Sequence, residues 1–153
     1  IFFYPLVENF HKGGILRYSI FPYSNAPLQD VAEEYATNLL NYFNYVGVLV
    51  IEFFVSNDGS LIANEMAPRV HNSGHWSIEG CSMSQFESHI RSVCDLEKVE
   101  PLLKSKSEMI NILGDDIYNY RGKSFKENEY FHDYHKKESK TGRKMGHFTK
   151  VLI

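Results

Sequence analysis

An α+β fold built on antiparallel sheets is the class this sequence predicts, and three observations predict it. An apolar run over residues 46–54 and a second strand-like run from residue 61 flank Asn57-Asp58-Gly59-Ser60, the signature of a β-hairpin. Residues 28–43 place Leu28, Val31, Ala32, Tyr35, Leu39 and Phe43 at the spacing of one helical face. From Glu97 the composition turns polar and then breaks into short strand-like stretches.

The elements follow in order. Residues 1–9 and 14–23 read as a hairpin around His11-Lys12-Gly13-Gly14, with His11 at its tip. The helix over 28–43 starts beside Pro27, which suits a first helical turn, and its stripe is core packing. In the central hairpin, Asp58-Gly59 as a two-residue type I′ turn sets Asn57 opposite Ser60. The pairing then runs Ser56 to Leu61, Val55 to Ile62, Phe54 to Ala63, Phe53 to Asn64 and Glu52 to Glu65, with a first strand that is largely apolar on both faces. A second helix is expected over residues 84–95, because Ser84 and Glu87 have capping-box spacing. Phe86, Ile90, Val93 and Cys94 share one of its faces and His89 lies exposed on the other. Residues 98–107 form a connector, and 108–113, 130–136 and 145–153 read as strands. The chain thus divides into residues 1–96 and a β-rich part, 97–153.

Composition excludes several classes. The 153 residues suit one domain, or one with a small appendage. The chain begins at Ile1 and enters an apolar stretch at once, so it reads as the C-terminal piece of a longer protein. A net charge of −3 with scattered Lys and Arg argues against a nucleic-acid surface. No apolar run approaches the roughly 20 residues a membrane helix needs. Two cysteines, Cys81 and Cys94, and no signal peptide point to reduced thiols in the cytoplasm.

The chemistry concentrates in the central hairpin and the residues after it. Glu52 and Glu65, directly opposed, have β-carbons roughly 4.5–5.5 Å apart. Two carboxylates so placed repel unless a positive group lies between them. Opposed Glu residues on a hairpin are usually a solvated pair or are bridged by a nearby Lys; a divalent cation also meets that need, and an all-oxygen site suits magnesium, which takes one or two carboxylates plus substrate phosphates. Arg69, His71, Asn72, Ser73 and His75 follow within a polar, irregular loop. Arg forks onto planar oxyanions, His transfers protons near neutrality, and Asn72 and Ser73 add neutral hydrogen bonds. A basic set, Lys136, Lys137, Lys140, Arg143 and Lys144, lies near the end, with Gly142 turning two cations toward one anion.

The run Asn64-Glu65-Met66-Ala67-Pro68-Arg69-Val70-His71-Asn72-Ser73-Gly74-His75-Trp76, together with Gly142-Arg143-Lys144-Met145-Gly146-His147, resembles the 5-(carboxyamino)imidazole ribonucleotide synthases, a family of ATP-grasp enzymes of purine biosynthesis. The likeness extends over nearly the whole chain. It implies the second lobe of an ATP-grasp domain, an antiparallel sheet with helices on one side, followed by a small β-rich C-terminal domain packed against it. It also implies a preceding N-terminal domain and first ATP-grasp lobe, so that this chain alone is expected not to turn over.

The implied reaction is ATP-dependent carboxylation of 5-aminoimidazole ribonucleotide with bicarbonate, through carboxyphosphate, by a cytoplasmic homodimer. By resemblance, Glu52 and Glu65 hold magnesium, with manganese as a substitute, and His11, Asn64 and Glu65 contact the nucleotide. Arg69, His71 and Asn72 are catalytic and, with Ser73, contact bicarbonate; Lys137, Arg143 and Lys144 anchor the ribonucleotide. Two departures stand out: Lys140-Thr141 replaces the Arg-Pro frequent in the family, and the register above turns Asn64 away from Glu65 unless its backbone makes the contact or a bulge intervenes. An ATP-grasp ligase with another acceptor, or a non-catalytic interaction module, are the alternatives.

Overall fold

Two antiparallel sheets carry the chain in a computed structural model that describes residues 1–23 and 25–152. The larger is built from β1 (Glu8–Lys12), β2 (Ile15–Phe21), β5 (Ser107–Leu113), β6 (Glu129–Asp133) and β7 (Lys144–Val151), in the order β1-β2-β5-β7-β6. The smaller is the hairpin of β3 (Val50–Val55) and β4 (Leu61–Ala67). Helices α1 (Ala26–Phe43), α2 (Ser77–Gly80) and α3 (Gln85–Val93) complete the α+β fold.

The first hairpin is shorter than its composition suggests. Residues 1–7 lie outside any strand, and His11 sits within β1, opposite Leu16 and just after a bulge, rather than at the tip. Gly13 and Gly14 make the turn, both with positive φ. The composition of residues 1–7 is strand-like, but those residues have no neighbouring strand to pair with among the described residues, and Tyr4 and Val7 instead pack on a buried cluster.

β2 hydrogen-bonds to β5, from Tyr18 opposite Ile110 to Phe21 opposite Ser107. Strands from both sides of residue 97 therefore share one sheet, and the β-rich part continues the sheet rather than only packing against it. One face of this junction buries Phe21, Trp76, Cys81 and Met109, with the Phe21 and Trp76 rings stacked at 3.4 Å. Trp76 thereby pins the loop that follows β4 to the sheet. A second cluster, Ile112, Ile117 and Met145, lies under Tyr120, Phe131 and Phe148.

α1 begins where expected. Asn25 caps it by accepting from the Leu28 N–H, Pro27 lies in the first turn, and Asn44 ends it in the left-handed conformation. Tyr35 reaches Phe53 across to β3, with ring centroids 6.1 Å apart.

α3 departs from its sequence pattern. Ser84 caps it through the Glu87 N–H, as the spacing predicts. Its apolar stripe, however, faces outward, with Phe86, Ile90 and Val93 exposed, while Gln85 is buried. His89 is half-buried and accepts a hydrogen bond from the Val48 N–H at 3.1 Å, so it is neither exposed nor idle. The spacing of apolar residues along a helix defines a stripe but does not decide which face meets the rest of the fold.

Both cysteines are free. Cys81 is buried, its thiol pushed up to about 12 by that burial, and Cys94 is exposed. No helix among the described residues is long and apolar enough to cross a membrane.

Candidate functional site

Glu52 and Glu65 do face each other, but by two irregularities that cancel. The turn spans three residues, Asn57-Asp58-Gly59, with Ser56 and Ser60 bonded across it, Asp58 accepting from the Ser60 N–H, and Gly59 at φ +84. This is a three-residue hairpin loop rather than the two-residue type I′ turn. It pairs Val55 with Leu61, Phe54 with Ile62 and Phe53 with Ala63, one residue off the expected register. A bulge between Glu52 and Phe53 then leaves Asn64 without a partner and restores Glu52 opposite Glu65. The bulge also resolves the difficulty with Asn64, which lines the same cavity as Glu65.

That cavity, about 1060 Å³, lies among the N-terminal segment, α1 and the β3–β4 hairpin. Its polar wall is formed by His11, Glu52, Asn64, Glu65, His71 and Lys144. His71 is the hub: its Nδ1 is 3.7 Å from Glu52 Oε1, and its Nε2 is 3.3 Å from Glu65 Oε1. His11 Nε2 approaches the other Glu52 oxygen at 3.9 Å. One ligand atom each from Glu52, Glu65 and His71 lie within 4.8 Å of one another.

Burial holds the His71 pKa below its ordinary value; the two carboxylates pull it up, and Arg69 and Lys144 push it down. The Ser73 N–H donates to Nδ1. That bond assigns the neutral ring's proton to Nε2, pointing at Glu65. Ser73 Oγ sits 2.9 Å from the same Nδ1, which is why Ser73 belongs to the site as a support of His71. Glu52 Oε1 is buried without a hydrogen-bond partner. A buried carboxylate oxygen left bare beside a second carboxylate is a donor atom in need of a cation, so the pair fits a hard divalent ion. Lys144 is half-buried in the same wall; desolvation lowers its pKa while Glu52 and Glu65 raise it.

The other expected site residues are placed differently. Arg69 is exposed, its guanidinium donating to the Val70 carbonyl at 3.0 Å. Asn72 turns away from the cavity into a reciprocal amide pair with Asn111 of β5, at 2.8 and 2.7 Å, and Asn111 also donates to the Leu16 carbonyl. The sequence gives no sign of this, since Asn111 falls inside an apolar strand. Of the basic set Lys136, Lys137, Lys140, Arg143 and Lys144, only Lys144 lines the cavity. Lys137 is exposed, and exposed Arg143 donates to the Glu138 carbonyl. The turn at Gly142 thus does not gather the cations at one point.

Behind His71 lies a buried layer that sequence reasoning also missed. His147 of β7 stands opposite His132 of β6, their rings stacked at 4.4 Å; His132 bonds Glu79 at 2.7 Å and His147 bonds Tyr134 at 2.9 Å. His75 lies nearby with its ring tilted against His147, centroids 5.1 Å apart. Burial pushes His147 down to about 3 and His75 to about 4. Both rings are therefore neutral in the fold at pH values where an unfolded chain, with its pKa near 6.5, already binds protons. Stability should be full above about pH 6.5 and fall steadily as pH drops toward the folded values. Denaturant melts between pH 8 and 5 check this; the slope should be shallower in His147→Gln, and a slope unchanged by that substitution would remove His147 as its source.

Residues 1–86 match the family model of the ATP-grasp domain, and residues 107–152 that of the phosphoribosylaminoimidazole carboxylase C-terminal domain. The chain is 46% identical over 149 residues to a curated N5-carboxyaminoimidazole ribonucleotide synthase of Brucella melitensis, covering 97% of this chain and 41% of that protein. A crystal structure of carboxyaminoimidazole ribonucleotide synthase from Aspergillus clavatus complexed with ATP superposes with a TM-score of 0.90 at 34% identity, covering 97% of this chain and 41% of that one. The A. clavatus synthase in complex with ADP and 5-aminoimidazole ribonucleotide gives 0.89 at 34%, with 97% and 42% covered. The chain spans about 40% of the length of the curated relatives it matches.

Proposed function

Because the chain belongs to the ATP-grasp family, we propose that the protein containing it is an ATP-dependent carboxylase that converts 5-aminoimidazole ribonucleotide and bicarbonate into 5-(carboxyamino)imidazole ribonucleotide in purine biosynthesis. The observation that carries this reading is the opposed pair Glu52 and Glu65 with His71 between them on one cavity wall. Use of ATP is supported by the relatives solved with ATP or ADP. Residues 1–96 form the second ATP-grasp lobe and 97–153 the C-terminal domain; the enzyme works as a cytoplasmic homodimer.

Glu52 and Glu65 hold magnesium, which when bound neutralises phosphate oxygens during phosphoryl transfer. His11 and Asn64, from the bulge, flank the nucleotide. A bicarbonate oxygen takes the γ-phosphoryl group as ADP leaves, giving carboxyphosphate; the exocyclic amine then bonds to its carbon as phosphate departs. Arg69 reaches the oxyanion in the complete cleft, and His71 orients it and exchanges a proton through the imidazole. Asn72 and Ser73 act from behind, Asn72 fixing the loop to β5 and Ser73 fixing the His71 ring. Lys144 meets the substrate at the cavity, and Lys137 and Arg143 meet its phosphate from the rim.

The test is phosphate release by the full-length protein supplied with ATP, magnesium, bicarbonate and 5-aminoimidazole ribonucleotide, omitting each in turn. Release that requires all four is expected. Release indifferent to the ribonucleotide would assign another acceptor and sink the proposal. Within the same assay, Arg143→Ala should raise KM for the ribonucleotide about ten- to a hundredfold, the worth of one charge-assisted bond, and leave KM for ATP unchanged. Equal losses would mean that Arg143 braces the turn through Glu138.

A further inference from the structure

We infer that Gln85 is a positioning residue that sets the backbone of His71, and hence the imidazole between the two carboxylates; this rests on the reading of His71 given above. Gln85 is the first residue of α3, only 2% exposed. Its amide treats His71 as a neighbouring strand would: Oε1 accepts the His71 N–H at 2.9 Å and Nε2 donates to the His71 carbonyl at 2.6 Å. The second Nε2 hydrogen goes to His75 Nδ1 at 2.8 Å.

Both donors and the acceptor are used, and the amide has one orientation, because flipped it would set Nε2 against the His71 N–H and Oε1 against the His71 carbonyl. His75, neutral through burial, presents the lone pair that this arrangement needs. The clamp is itself held. The Gln85 N–H donates to Ser77 Oγ at 2.9 Å, and the Ser77 hydroxyl donates to the Gly74 carbonyl at 2.6 Å. Gly74 leaves the space for it, because a Cβ there would stand 2.7 Å from Gln85 Oε1.

These bonds matter because His71 lies at the end of an irregular loop, four residues beyond the last residue of β4, where no ladder fixes its backbone. Its φ and ψ, −133 and 152, are extended; its N–H is held by the Gln85 amide, which shares the His71 carbonyl with the Gly74 N–H at 3.0 Å. Holding both groups of one residue fixes where its Cβ points. The ring position relative to Glu52 and Glu65 follows from that, at the distances of 3.7 and 3.3 Å already described.

In the full-length protein, Gln85→Glu keeps the size and the acceptor but removes both donors, and Gln85→Met removes every bond at similar volume. Misplacement of a reacting group by an ångström costs up to about a hundredfold in rate. Both variants should therefore lose roughly ten- to a hundredfold in kcat, with ATP affinity within about twofold of the parent, counted per folded molecule. The decisive measurement is a double-mutant cycle: in a His71→Asn background, Gln85→Met should change kcat less than about twofold, because there is no imidazole left to misplace. Independent losses that multiply would overturn the inference and make Gln85 a general brace.

Should the parent protein prove not to carboxylate the ribonucleotide, the proposed function fails while this inference stays testable. In histidine-labelled protein the His71 ring resonance should then shift in Gln85→Met and in Gln85→Glu, with the signal of exposed His135 unmoved. A His71 resonance identical to the parent in both variants would overturn it.

Discussion

Glu65→Gln in the full-length protein should leave the fold intact and abolish ATP cleavage, and Glu52→Gln should do the same. The amide matches the carboxylate in shape but is a poor ligand for a hard cation. A metal clamp supplies several kcal/mol of charge stabilisation to phosphoryl transfer, and about 1.4 kcal/mol is a factor of ten in rate, so the loss should be at least about a hundredfold.

The two positions should differ in stability, and that difference tests the reason for the loss. Glu52 Oε1 is buried and bare, whereas the Glu65 side chain is 55% exposed. Without magnesium, Glu52→Gln removes a buried charge with no hydrogen-bond partner at that oxygen and should melt at or above the parent. With magnesium, the parent should gain melting temperature and the variant should not. Thermal melts with and without the ion, beside the phosphate-release assay, read both effects. Near-normal turnover in both variants at ordinary magnesium would make the opposed carboxylates a structural pair.

How legible this site was in the sequence depends on which level of structure carried it. The opposition of Glu52 and Glu65 was readable because the hairpin is local, yet the route to it was not: the three-residue turn and the bulge at Asn64 shift the register by one residue each, in opposite senses. Turn type is a matter of small conformational energies at Asp58 and Gly59, and a bulge leaves no compositional mark. The helix α1 was readable from its stripe and from Pro27 in its first turn, since both are local. The orientation of α3 was not, because the polar atoms it buries, Gln85 and His89, serve partners 14 and 41 residues away.

The same limit explains the missed residues. Asn111 sits between Ile110 and Ile112 in a strand, where a lone amide in an apolar run gives no hint that it meets Asn72 across 39 residues. Gln85 is read as an ordinary helix former until its amide is seen against His71. The likeness of the loop to known enzymes pointed to this segment; only coordinates separate the side chains that reach the cavity, such as His71 and Lys144, from those that hold the loop, such as Asn72.

Arg69→Ala should lower turnover by about 10²–10³ while leaving ATP affinity and melting temperature near those of the parent, the loss typical of a preorganised donor aimed at developing negative charge. Its place argues for the first half of that statement: it lies four residues beyond Glu65 and two before His71, on the loop that Trp76 pins to the sheet. Its environment argues for the second. The guanidinium is exposed, donates to the Val70 carbonyl and makes no ion pair among the described residues, so removing it breaks little of the fold; surface changes of this kind usually alter stability by less than about 0.5 kcal/mol. A cation on a short loop, without a carboxylate partner among the described residues, is free to fork onto an oxyanion. Arg69→Lys should rescue poorly, since an ammonium keeps the charge and loses the planar pair of donors. On the proposed mechanism the charge it would meet exists mainly in the transition state and in carboxyphosphate, so the loss should fall on kcat rather than on ATP binding. Rates, ATP affinity and melts of the two variants decide the matter: a variant that melts early yet keeps its rate per folded molecule would make Arg69 a brace for the loop and remove it from the chemistry.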